Sequence, residues 1–165
     1  MTTLCMNLMS WGAFAQHDHA KMSDDTKGKN MAMFKDTKPG SAYEHYIHVK
    51  DALVASKPDE AKTRANELLK LLKEIDGTAG AIEAASKLAN ASDLVEQRKV
   101  CSTLSNEMAT LVKGDKLSMG MLYLEYCLMA NSNAGAYWLS NEKEIKNPYF
   151  GDRMLNCGSV KELIH

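Results

Sequence analysis

Apolar residues recur at helical spacing from residue 39 to about residue 113. Tyr43, Tyr46, Ile47, Leu53 and Val54 can share one stripe. Pro39-Gly40 breaks the chain just before them, and Ser41-x-x-Glu44 has capping-box form, so a first helix is expected from near Ser41. Ser56-Lys57-Pro58 ends that helix and sets Pro58 in the first turn of a second. Ala61, Ala65, Leu68, Leu69, Leu72 and Ile75 mark the second helix's buried face, and Asp76-Gly77 stops it. The alanine-rich stretch from Gly80 to Asn90 reads as a short third helix. Ser92 caps a fourth, running to about Lys113. Along it Leu94, Cys101 and Met108 repeat at seven, with Gln97, Leu104 and Leu111 between them. The pattern predicts a mainly α fold, an antiparallel helical bundle, with Cys101 packed in the core as a small hydrophobe.

After Gly120 the pattern changes. Met121 to Met129 is apolar and aromatic, bounded by Gly120 and by Asn131-Ser132-Asn133, and reads as a strand. In a strand Cys127 and Met129 would point to the same side. Residues 131–135 read as a turn, and Ala136 to Leu139 as a second short strand. Ser140-x-x-Lys143 suggests a brief helical turn, and residues 159–164 a final one. The helical domain, residues 39–165, thus carries a small C-terminal segment of short strands and loops.

Upstream, residues 1–15 read as a signal peptide, with Ala13-Phe14-Ala15 as a small-x-small cleavage site, which implies export to the periplasm or beyond. Residues 16–38 are too polar to fold alone and read as a disordered linker. His17, His19 and Met22 make it a weak metal-gathering tail.

Composition narrows the function classes. The 165 residues carry a formal net charge of −1 with both signs interspersed, which gives no global attraction to nucleic acid. Nucleotide-binding, hydrolase-nucleophile and zinc-protease motifs are missing from the sequence, so an enzyme is the weakest reading. Eleven methionines are unusual. In a mainly polar N-terminal stretch, Met22, Met31 and Met33 have no packing periodicity to explain them.

The densest chemistry lies between Tyr126 and Gly158. Cys127 and Cys157 enclose about thirty residues, and Met129 and Met154 stand near them. In an oxidising compartment such a thiol pair is a disulfide candidate. Reduced, a thiolate and a thioether on one side of a strand would suit Cu(I) or Ag(I). His45 and His48, three apart on the first helix, share a face as metal ligands or as two surface histidines. Tyr137-Trp138 and Tyr149-Phe150 could pack in the core or form a contact surface.

From Ser41 onward the chain resembles the bacterial domain of unknown function 3347. The resemblance rests on Tyr46-Ile47-His48-Val49-Lys50-Asp51-Ala52-Leu53-Val54-Ala55, on Tyr126-Cys127-Leu128-Met129-Ala130 and on Gly135-Ala136-Tyr137-Trp138-Leu139-Ser140. It continues through residues 144–152 and Met154-Leu155-Asn156-Cys157-Gly158. It implies an exported protein, since members look exported and the domain also occurs fused to periplasmic adaptor subunits of copper and silver efflux systems. His48, Cys127, Met129 and Cys157 match the positions implied as metal ligands, with Met154 and His45 as reserves. An efflux adaptor is the implied partner. Leu128 stands where the family usually has proline between cysteine and methionine, so the extended geometry is permitted here without being enforced.

Overall fold

The computed structural model describes residues 32–165. The signal-peptide reading of residues 1–15, the tail histidines and most of the linker therefore lie outside the described residues. The end of the presumed linker does not. Met33–Phe34 form a short strand, β1, antiparallel to β2, Leu117–Met119. Phe34 packs on Tyr43, with ring centroids 5.4 Å apart. The folded body thus begins earlier than Pro39.

Four helices follow: α1, Thr37–Val54; α2, Pro58–Leu72; α3, Ala79–Asn90; and α4, Leu94–Gly114. The fold is mainly α, as the periodicity predicts. Helix α1 starts four residues before Ser41 because Asp36 is its cap, accepting from Lys38 N at 3.0 Å. Pro39 is tolerated in that first turn, where its missing N–H costs nothing. Asp93 rather than Ser92 caps α4, accepting from Glu96 N at 2.9 Å while the Glu96 carboxylate takes Ser92 N at 2.8 Å. Each helix packs on the next in sequence, and α4 returns to α1. Cys101 is fully buried on α4, as expected, and burial pushes its thiol up to about 11. None of the described helices is long and apolar enough to cross a membrane.

The C-terminal segment is a three-stranded antiparallel sheet in the order β4-β3-β5, made of Leu122–Cys127 (β3), Ala136–Ser140 (β4) and Ser159–Ile164 (β5). The last of these corrects the expected helical turn. Its residues, half of them polar and most exposed, pair with β3, from Tyr126↔Ser159 to Leu122↔Ile164. Residues 141–146, expected to open with a helical turn, run as bends without helix.

Tyr46 joins the two layers. Its hydroxyl accepts the Leu139 N–H of edge strand β4 at 3.1 Å and bonds Ser105 Oγ on α4 at 2.8 Å. Both contacts are buried. Tyr46→Phe should therefore orphan a buried backbone donor and cost roughly 1–3 kcal/mol in denaturant unfolding, with the helical signal of the native state unchanged.

Candidate functional site

Strand β3 ends at Cys127, two residues short of Met129. Met129 already has turn geometry (φ −83°, ψ −9°), and Asn131, Ser132 and Asn133 follow with φ of 51°, 58° and 68°. Asparagine tolerates this left-handed region better than most residues, which fits the turn to its sequence. The alternation that would put Met129 on the Cys127 side therefore stops before reaching it. Cys127 is 1% exposed, whereas Met129 is 41% exposed.

Cys157 does reach Cys127. The β3–β5 register places Ser159 beside Tyr126, so the chain passes the end of β3 just before it enters β5. Asn147 holds this approach. Its Nδ2 donates to the Cys157 carbonyl at 2.6 Å, its backbone N–H donates to Leu155 O at 2.8 Å, and its Oδ1 accepts from Tyr149 N at 2.8 Å. The two sulfurs stand 2.6 Å apart. Two thiolates on one tetrahedral zinc would be about 3.8 Å apart, given metal–sulfur bonds near 2.3 Å. The contact with Cys127, and then burial, pushes the Cys157 thiol up to about 11.

The other candidate ligands lie elsewhere. His48 is exposed on α1, with its ring 5.7 Å from that of His45. Nδ1 of His45 bonds the Ser41 carbonyl at 3.0 Å. Among the described residues no three His, Cys, Asp or Glu side chains form a group that could hold a metal ion. Trp138 and Tyr149 are buried against each other, with centroids 5.9 Å apart, and so pack the core. Tyr137 is partly exposed and stacks on Tyr126.

Met129 instead shares a groove of about 600 Å³ with Met154. Val95, Arg98 and Lys99 of α4, the Asn131–Asn133 turn, and Tyr149, Phe150 and Arg153 complete the lining. Arg98 is 8% exposed and serves as a strut. Its Nε donates to Pro148 O at 2.8 Å, and its Nη2 donates to Leu53 O at 2.9 Å and to Ser56 Oγ at 3.0 Å. Burial, and then the neighbouring Arg153, lowers its pKa. Gly151 crosses this strut at φ 56°, where a Cβ would lie 2.8 Å from Val54 O and 2.7 Å from Arg98 Nη2. Sequence reading missed Arg98 and Asn147. An arginine inside a helix ordinarily reads as a solvated charge, and an asparagine before a proline as a chain breaker.

A second polar feature lies in the sheet. Glu125 of β3 pairs across with Trp138 of β4, and both are 0% exposed. Neither carboxylate oxygen, nor Trp138 Nε1, completes a hydrogen bond.

These features define a mainly α domain that carries a small antiparallel sheet, a thiol pair with one buried member, and a cationic groove. Residues 42–120 match the family model described as "Protein of unknown function (DUF3347)", which supports the resemblance over that stretch. The match runs from within α1 through α4 and ends before the segment that carries Cys127 and Cys157. No curated protein and no solved structure matches the chain.

Proposed function

We propose that this protein is an exported, non-catalytic interaction module whose C-terminal layer is stapled by a Cys127–Cys157 disulfide. The placement of the two sulfurs in direct contact, with Cys127 buried, carries this reading. A thiol pair set side by side oxidises readily in an oxidising compartment, and an oxidised pair supplies no thiolate to a metal. We read the four helices as an antiparallel bundle that presents the sheet and the groove beside it. Burial of Trp138 and Tyr149 leaves that groove as the better contact surface. A periplasmic efflux adaptor is the partner that the family resemblance suggests. Intact mass of protein purified from an oxidising compartment, taken with and without reductant, tests the staple. Native protein should lack two hydrogen atoms per chain and regain them on reduction. An unchanged mass would defeat the reading.

A second reading is Cu(I) or Ag(I) binding in service of efflux or resistance. It is favoured by the two thioethers, Met129 and Met154, lining one groove. The cations Arg98, Lys99 and Arg153 around them oppose a metal cation there. Reduced protein titrated with Cu(I) against a competing chelator should lose affinity in Cys127→Ser/Cys157→Ser if those thiols, with His48 and Met129, are the ligands. If the methionine groove binds alone, only Met129→Leu/Met154→Leu should weaken it.

A further inference from the structure

We infer that the groove between α4 and the Asn131–Asn133 turn binds an acidic peptide segment carrying apolar side chains, supplied by a partner protein. This deepens the interaction-module reading and rests on it. Charge complementarity carries the inference. Three cations, Arg98, Lys99 and Arg153, line the groove, and no carboxylate does. Among the described residues none of the three is ion-paired. Arg98 is the deepest. More than nine-tenths buried, it donates to two backbone carbonyls and one hydroxyl and to no carboxylate, so its charge stays unneutralised. A buried charge without a counter-ion is costly, and an arriving carboxylate relieves that cost. Asp152 lies near enough to act on Arg98 but is exposed and does not line the groove.

The apolar half of the lining selects a peptide over a small anion. Val95 is 77% exposed on α4, and Met129 and Met154 line the groove with it. A free inorganic or organic anion would satisfy the charges and leave those side chains in water. A peptide that alternates carboxylate and aliphatic side chains covers both. Methionine is suited to such a surface, since its unbranched side chain adapts to irregular partners. The volume, about 600 Å³, accommodates a few side chains of such a segment.

The probe is a fluorescein-labelled peptide alternating glutamate and leucine, followed by anisotropy against the full chain. A peptide with glutamine for glutamate serves as control. Binding should weaken with salt, and the control should bind far more weakly. Lys99→Glu and Arg153→Glu should each weaken binding roughly tenfold, by replacing attraction with like-charge repulsion. Both side chains are exposed and outside the core, so these variants keep the fold. Lys70→Glu on α2, away from the groove, should change nothing. Equal binding of the glutamine peptide, indifference to both charge reversals, or no binding at millimolar protein overturns the proposal. Citrate displacing the labelled peptide at concentrations matching the peptide's own affinity also overturns it, in favour of a small-anion site. Thiol state is recorded by mass on the same samples. Peptide binding by a chain with free thiols would leave the groove standing and remove the staple. A stapled chain that ignores the peptide would do the reverse.

Discussion

Between pH 4.5 and 8 the protein should lose stability, by roughly 4–5 kcal/mol across the window, and Glu125→Gln should flatten most of that slope. Burial is the first cause, because a carboxylate taken out of water resists ionising. It raises the Glu125 pKa from 4.5 to about 8. Lys50 of α1 and the Trp138 indole of β4 pull in the opposite direction, and Glu142 beyond β4 adds to the rise. Lys50 is itself engaged, holding Asp51 at 2.7 Å, and so does not form an ion pair with Glu125. Tyr43 and Tyr46 of α1 also feel the Glu125 charge. The sign follows from the direction of the shift. Below pH 4.5 folded and unfolded chains both hold the proton, and the stability is fully present. As pH rises toward 8 the unfolded chain releases the proton freely and the folded chain does not, so the balance moves toward unfolding. Above 8 the loss is complete. Urea unfolding at closely spaced pH values measures it. A flat wild-type profile would show that Glu125 has found a partner, and an unflattened Glu125→Gln profile would assign the slope to another group.

The helices were legible because their information is local. Ala61, Ala65, Leu68 and Leu72 repeat at helical spacing, and all are buried in α2. Pro58 and Gly77 punctuate as their chemistry requires, Gly77 at φ 79°. The sheet was legible only in part because its information is distant. Strand β5 is Ser159-Val160-Lys161-Glu162-Leu163-Ile164, an edge strand with little apolar alternation, and its pairing with β3 is what makes it a strand. β1 is two residues long and depends on β2 across more than eighty residues of chain. The thiol pair was named correctly as two residues that could meet. What brings them together, the β3–β5 register and Asn147, has no local signature. Met129 was misplaced for a local reason: the chain enters the asparagine-rich turn at Met129, with φ −83° and ψ −9°, before the strand can extend. Glu125 was hidden inside a run read as apolar. Its signal was the alternation Tyr123, Glu125, Cys127, which puts a carboxylate on the same side as a thiol that was itself predicted to be important.

Removing the staple should lower stability by about 3–4 kcal/mol, measured as Cys127→Ser/Cys157→Ser against oxidised wild type. The cysteines are thirty positions apart, and closing a loop of that length removes this much chain entropy from the unfolded state in the loop-closure model. For a folded body of this size the melting temperature should fall by roughly 10 °C. Native-state contacts add little to the difference, because serine keeps the volume near that of the thiol and Asn147 still ties the Cys157 carbonyl. Reductant should bring wild type down to the level of the double variant and leave the variant where it was. The unfolding should remain a single transition, since β3 is hydrogen-bonded on both edges and packs in the common core with the helices. The Asn147→Ala variant separates the staple from its support. It frees the Cys157 carbonyl and the Tyr149 N–H together, and should destabilise reduced and oxidised protein alike, by roughly 1–3 kcal/mol. Should the double variant melt with oxidised wild type, the sulfurs make no bond in the native protein, and the Met129–Met154 groove becomes the place to look for soft-metal chemistry.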